Sequence, residues 1–303
     1  MDDVIEVRAL VKKFGSFAAL DGLDLTVAAG EVAGFLGPNG AGKSTTIRVL
    51  LGMYRSSGGT ARVFGLDPFA DAVAIHSRLA YVPGDVSLWP QLTGGECIDV
   101  LLRLRGVDPA SSRKAELIER FELDPTKRSG TYSKGNRQKV ALVAALAADA
   151  ELFIFDEPTS GLDPLMAKQF QTSAREAAGR GAAVLMSSHI LSEVEELCES
   201  VTIIRAGKTV QAGTLAQLRH LRRSRVRVTV GDGDVGVLRG IDGVHDVETS
   251  DGADGTDVSF TVAPEGLDAV TRALGGLSVK QLLVEPPSLE ELFLHAYDES
   301  GAR

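Results

Sequence analysis

Eight residues, GPNGAGKS from Gly37 to Ser44, restrict what this chain can fold into more than any other stretch. They follow a short apolar run, EVAGFLG, and precede TTIRVLLGMY, whose apolar residues recur at helical spacing. A buried strand, a glycine-rich loop and a helix, in that order, make a cradle for phosphate. The glycines let backbone N–H groups turn inward on phosphate oxygens. The helix that starts near Gly42 directs the positive end of its dipole at the same anion. Lys43 has the reach to touch the β- and γ-phosphates of a nucleotide, and Ser44 offers a hydroxyl to Mg²⁺.

Two further apolar runs have the look of strands buried on both faces. ELFIFDEP ends in Asp156 and Glu157 and is closed by Pro158, and AAVLMSSH ends in His189. An Asp at such a strand end can hold Mg²⁺ through water. A second carboxylate beside it suits the orientation or deprotonation of an attacking water. A histidine at the tip of a neighbouring strand comes within reach of a γ-phosphate. Between these runs, residues 134–148 and MAKQFQTSAREAAGRG have helical patterns, as does Gly94 to Arg120. Strands VIEVRAL and LDLTVAAG, with a turn near Phe14-Gly15, precede them all. Helices alternating with apolar strands predict an α/β layout around a largely parallel sheet.

The register changes near Gln217. Beyond it the pattern is strand (VRVTVG), weak helix (VGVLRGI), strand (VHDVETS), strand (DVSFTV), helix (PEGLDAVTRALGG), strand (SVKQLLVE) and helix (SLEELFLHAY). The first six are the β-α-β-β-α-β order of ferredoxin-like folds. No catalytic cluster falls in this part. The expectation is therefore a nucleotide-binding domain over 1–217 and an accessory C-terminal α+β domain over 218–303.

Composition narrows the function classes. With 44% hydrophobic residues there is ample material for a core. A net charge of -9 disfavours binding to bare nucleic acid, which needs clustered Lys and Arg. The one basic run, RHLRRSRVR from Arg219 to Arg227, is expected to be a solvated linker entering a strand. Two cysteines, Cys97 and Cys198, give neither a disulfide framework nor metal-ligand spacing, which fits a reducing cytosol. The N-terminal stretch lacks the charged and apolar regions of a signal peptide. No stretch approaches eighteen uninterrupted apolar residues, so the chain is not expected to span a membrane by itself.

Taken in order, GPNGAGKST, YSKGNRQK, LFIFDEP, SGLD and SSH resemble the ATP-binding subunits of ABC transporters over about residues 4–215. The ordered set is far more specific than any one member. The resemblance implies an ABC-type P-loop NTPase domain with a helical subdomain at about 87–148. It makes Gly37, Pro38, Asn39, Gly40, Ala41, Gly42, Lys43, Ser44 and Thr45 the Walker A loop. Ser44 and Asp156 become the Mg²⁺-side groups, Glu157 the catalytic base and His189 the switch histidine, with Lys43 also catalytic. Phe14 matches the aromatic that stacks on adenine, and Asp163 closes a D-loop, Ser160 to Asp163. YSKGN stands where the family carries its LSGGQ signature. In that family two such domains close head to tail, so Ser133, Gly135 and Asn136 would meet ATP held by a second copy. Lys134 and Asn136 depart from the signature, while the serine and second glycine remain.

A larger departure follows the strand LAYVP. The family carries a Gln there that senses Mg²⁺ and the attacking water, and this chain has Gly84. Asp85, one residue on, is a candidate for the missing oxygen, with a water as the alternative. The same loop links nucleotide to membrane subunit in the family, which places Leu88, Trp89 and Pro90 near a docking groove. YVPGDVSLWPQLTGGE and EPPSLEELFLHAY resemble single-domain subunits of ABC-2-type exporters, including the antibiotic-resistance branch. The implied function is ATP-driven export through a separate multi-helix permease, as a homodimer at the cytoplasmic face of the membrane, with ATP and Mg²⁺ as cofactors and no nucleic-acid partner. The alternative is a soluble ABC-type ATPase acting on ribosomes or DNA. Ribosome-associated members usually carry two nucleotide domains, and DNA-repair members carry long coiled coils that this chain lacks. A switch GTPase would need an N-K-x-D stretch, and none occurs.

Overall fold

The computed structural model describes residues 3–220, 223–231, 235–252 and 255–285. The chain divides into two compact units, 1–212 and 213–303. The division falls five residues before the composition change at Gln217, inside the strand that ends at Thr214.

In the first unit, β3 (Val32–Leu36), β5 (Leu79–Val82), β6 (Leu152–Asp156), β7 (Ala183–Ser188), β8 (Ser200–Arg205) and β9 (Lys208–Thr214) form one sheet in the order β5-β6-β7-β3-β8-β9. Its core pairs, β5 with β6, β6 with β7, β7 with β3 and β3 with β8, are parallel. β3 and β7 are buried at every residue, which is why their sequences are unbroken apolar runs rather than alternations. A second, antiparallel sheet has the order β2-β1-β4, from β1 (Asp3–Phe14), β2 (Phe17–Ala28) and β4 (Gly58–Val63). Both sheets share a core that includes Ile5, Leu25, Phe35, Ile47, Ile154 and Leu185.

Register aligns the carboxyl ends of the parallel strands. Leu36 pairs with Ser188 and Asp156 with Ser187. The phosphate loop, the Asp156-Glu157 pair, His189 and Gly84 therefore all leave one edge of the sheet. In an open α/β sheet that edge is where ligands bind.

The helices are α1 (Lys43–Leu50), α2 (Ala72–His76), α3 (Gly94–Leu104), α4 (Lys114–Arg120), α5 (Lys134–Ala147), α6 (Pro164–Gly179) and α7 (Leu191–Leu197). The pattern from Gly94 to Arg120 predicts one continuous helix, and the structure breaks it in two. α3 starts on a capping box, in which Thr93 and Glu96 exchange side-chain and backbone hydrogen bonds. It ends at Arg105, and Gly106 turns left-handed at φ 76°. Cys198 is buried at the end of α7, beside the buried Val194 and Leu197 of that helix. Burial also pushes its thiol pKa well up.

The second unit begins with α8 (Leu215–His220), so the start of the basic run is helical rather than linker. β10 (Ser224–Val230), β11 (Val244–Gly252), β12 (Gly255–Val262) and β13 (Val279–Glu285) form an antiparallel sheet in the order β11-β12-β10-β13. That is the order a β-α-β-β-α-β chain gives in a ferredoxin-like fold. The weak helix after β10 is a 3₁₀ turn, Val235–Gly240, and α9 (Leu267–Leu274) is a full helix. Leu238 from the turn, and Val270 and Leu274 from α9, pack on Val226, Val258 and Phe260. SLEELFLHAY lies outside the described residues.

Candidate active site

The phosphate loop owes its shape to three glycines. Gly40 and Gly42 are left-handed, at φ 82° and 115°, where an L side chain is strained. A Cβ at Gly37 would stand 2.6 Å from the Ile204 carbonyl oxygen, so β8 leaves room only for glycine. Gly42 caps α1 without any side-chain hydrogen bond, which leaves the first N–H groups of the helix open to an anion. Asn39 and Gly40 are exposed on the rim, Pro38 and Thr45 are half-buried, and Ala41 is packed inward, its carbonyl accepting from Gly207 N at 2.9 Å.

Lys43 is buried at the foot of the loop and donates to the carbonyls of Gly37 and Pro38. Burial lowers its pKa, and the charges of Glu157 and Asp156 oppose that. Those two carboxylates therefore lie close enough to act on the phosphate lysine. Ser44 Oγ donates to Asp156 Oδ2 at 3.4 Å across 112 residues of sequence. Ser187 donates to the other oxygen, Oδ1. Asp156 is thus held from both sides, by the loop and by the neighbouring strand.

Glu157 adopts φ 50°, a left-handed conformation that costs a non-glycine residue about 1 kcal/mol. Its N–H donates to the Ser187 carbonyl at 3.0 Å, which fixes the turn. The turn brings its carboxylate to His189, with Nδ1 3.1 Å from Glu157 Oε1. Both side chains remain open to solvent, at 52% for His189 and 31% for Glu157, so an incoming ligand can reach them.

Gly84 lies at the same edge. A Cβ there would sit 3.1 Å from the Asp156 carbonyl oxygen and 3.6 Å from Glu157 Cβ. Position 84 therefore borders the carboxylates although it carries no side chain. Asp85 is exposed one residue further on.

Phe14 ends β1 with its ring 44% exposed, paired in register with Phe17 across the hairpin. Its ring meets Tyr54 edge-on at 5.3 Å, and Lys12 Nζ lies 4.8 Å from its centroid. The hairpin reaches the phosphate loop through Ala19, whose carbonyl oxygen would touch a Cβ at Gly42 at 3.1 Å.

The signature stretch stands apart from this cluster. Ser133 caps α5, its Oγ accepting from Asn136 N at 3.2 Å, which leaves its O–H free to donate. Gly135 has a cause that sequence reasoning missed. A Cβ there would lie 2.3 Å from the Gly161 carbonyl oxygen, so the D-loop of the same chain already demands glycine. Lys134 Nζ donates to Ser160 Oγ at 2.6 Å and ties the same two segments together. Asp163 caps α6, accepting from Met166 N at 3.0 Å with Pro164 following. Asp163 therefore serves as the cap of α6.

Sequence reasoning also missed Ser187 and Tyr81. A serine ending an apolar strand beside the Asp156 strand was the only signal for Ser187. Burial and the charge of Asp156 push the Tyr81 phenol up to about 12.

A phosphate loop with its lysine, facing two strand-end carboxylates and a histidine, defines a P-loop nucleotide hydrolase. Comparison with known proteins narrows this. The ABC transporter family model matches residues 20–160. The daunorubicin resistance ATP-binding protein DrrA3 of Streptomyces coeruleorubidus is 34% identical over 307 residues, covering 97% of this chain and 96% of that one. A solved ATP-binding subunit of an ABC transporter matches at TM-score 0.67 and 30% identity, over 72% of this chain and 92% of that one. The dimeric post-hydrolysis cassette MJ0796, bound to ADP and Pi, matches at 0.63 and 20% identity, over 70% and 98%, which bears on the fold alone. The chain belongs to the ABC transporter family, as an ATP-hydrolysing subunit that powers export through a separate membrane permease. Among the described residues no helix is long and apolar enough to cross a membrane.

Proposed function

We propose that two copies of this chain close on two ATP molecules at the cytoplasmic face of the membrane and drive a drug-type exporter. The drug class rests on likeness to a daunorubicin resistance protein. The observation that carries the chemistry is the Glu157–His189 pair beside Asp156 and Lys43.

In this reading phosphate oxygens accept from Lys43 Nζ in place of the Gly37 and Pro38 carbonyls. Ser44 and Asp156 are two hard oxygen donors already drawn together, and they fit the need of Mg²⁺ for one or two protein oxygens besides phosphate and water. Mg²⁺ bound there would supply charge neutralisation at the β- and γ-oxygens. Glu157 accepts a proton from the attacking water, and His189 orients Glu157 and donates toward the γ-phosphate. Phe14 stacks on adenine with the face that Lys12 leaves open. Ser133 O–H and the N–H groups at the start of α5 approach the γ-phosphate on the second copy. Asp85 or a water replaces the side chain missing at Gly84.

The groove of about 770 Å³ between the sheet edge and the helical region is where the permease docks. It is lined by Leu88 and Trp89, and Pro90 is the next residue along the chain. The Pro90 carbonyl accepts from Gly130 N at 3.3 Å. Tyr81 and Pro83 line the groove as well, three residues and one residue before Gly84, so the docking surface and the catalytic edge share a strand and the loop that leaves it.

Glu157→Gln tests the chemistry. Turnover should fall about 10²-fold or more while ATP binding persists. A variant that hydrolyses at the wild-type rate removes the base assignment. Cysteines at positions 44 and 133 test the two-chain site. Under ATP they should link different chains in the assembled complex, and a link that never forms removes it.

A further inference from the structure

The groove is mostly apolar, and its polar lining side chains are Ser77, Tyr81, Ser87, His76 and Arg105. Met53, Val73, Trp89 and Leu104 are exposed along it, Val73 at 88% and Leu104 at 75%. No lining residue is a carboxylate. The permanently charged side chain among them is Arg105, at the end of α3, where the helix is stopped by Gly106. Its Nε is sealed from solvent and has no hydrogen-bond partner. Among the described residues no carboxylate pairs with its guanidinium. Elsewhere the same helical region places its arginines well. Arg113 and Arg120 share Glu116 and Glu176, at 2.7 to 3.3 Å.

An arginine is never neutral in water, and a buried donor left unpaired costs stability. A sequence can avoid that cost with Met or Leu, which would suit these apolar walls. The remaining face of Arg105 points into a groove that lacks any anion. Burial acts on the guanidinium in the same sense, lowering its pKa. The other basic lining residue is His76, and its Nε2 is already 2.9 Å from the Leu51 carbonyl oxygen.

We infer that Arg105 is the counter-ion for one carboxylate on the apolar segment of the permease that fills this groove. The inference rests on the reading that the groove receives the permease. The apolar walls then hold the segment, and Nη1 and Nη2 of Arg105, the two nitrogens not sealed from solvent, fix its register by two parallel N–H···O bonds. A wrong partner with no acid at that position leaves the guanidinium buried and unpaired, so the pair also selects the partner.

The test uses the full chain and its cognate membrane subunit in detergent, with binding measured directly. Arg105→Met, which keeps the apolar stem, should weaken binding about tenfold or more. The isolated variant should melt at the same temperature as wild type or higher, since an unpaired buried donor is gone; a purely structural arginine would lower it. Arg105→Glu should abolish binding, and changing each acidic residue in the membrane subunit's cytosolic segments to Arg should restore it at one position. Binding of Arg105→Met within twofold of wild type, or no rescuing position for Arg105→Glu, overturns the inference. Rescue failure combined with weak Arg105→Met binding would mean that backbone carbonyls are the acceptors, and the carboxylate is then wrong. Trp89→Ala and Leu104→Asp separate the two levels. If they abolish binding while Arg105→Met does not, the groove still docks the permease and only the counter-ion fails. If they too bind normally, the docking reading fails with it.

Discussion

Helices α1 and α5 both begin next to a glycine, and both present open N–H groups at a place suited to an anion. They are finished in opposite ways. α1 has no side-chain cap, a buried Lys43 in its first turn, and Ser44 bonded to Asp156 on a neighbouring strand end. Every element of a phosphate site surrounds it. α5 is capped by Ser133, and its first-turn lysine, Lys134, faces outward and bonds to Ser160. Gly135 is pressed on Gly161 rather than on open space. Its own chain supplies a backing in the D-loop, and none of the contacts described at α5 joins it to the strand-end carboxylates or to Lys43. A helix start alone therefore does not define a binding site; the groups that converge on it do. α1 is complete within one chain, while α5 has the form expected of a half-site that a second chain completes.

Four substitutions, the last read by acid titration, press on that contrast. Lys43→Ala strikes the complete half. Turnover should fall about 10²-fold to 10³-fold, and ATP affinity should drop with it, because the lysine stabilises bound phosphate as well as the transferring group. Gly135→Ala strikes the other half. Its Cβ would overlap the Gly161 carbonyl, so α5 and the D-loop must separate. A displacement of that size in a positioned group lowers turnover about tenfold to 100-fold. ATP affinity of the single chain, measured by nucleotide titration, should stay unchanged. A parallel loss of affinity would erase the distinction between the halves.

Ser133→Ala should destabilise the chain by about 1 kcal/mol, read as a lower melting temperature, through loss of the α5 cap. It should also slow turnover in the dimer. Asp163→Asn is the mildest change, since Asn caps as well as Asp. The bond from Met166 N holds the Asp163 carboxyl below its ordinary value of 3.8. A group depressed in this way stabilises the fold above its unfolded pKa and loses that contribution as pH falls through the folded value. The Asn variant should therefore show a shallower loss of melting temperature on acidification below about pH 4. An identical acid slope would show that the cap does not titrate with folding.

What the sequence determined by itself was local. The phosphate loop is legible because its backbone angles are set by residue type at Gly40 and Gly42, and the buried strands are legible because two covered faces demand unbroken apolar runs. The β-α-β-β-α-β order of the C-terminal unit followed from alternation and turns. The helix break at Arg105-Gly106 was hidden, because apolar spacing runs on through it and one glycine does not announce a stop. The tertiary structure decided everything that needs segments distant in sequence to meet. The Ser187 and Ser44 bonds to Asp156, the pressure of Gly161 on Gly135, and the unpaired Nε of Arg105 in an apolar groove are properties of distance and solvent exclusion. Neither exists along a chain until the sheet register and helix packing create it.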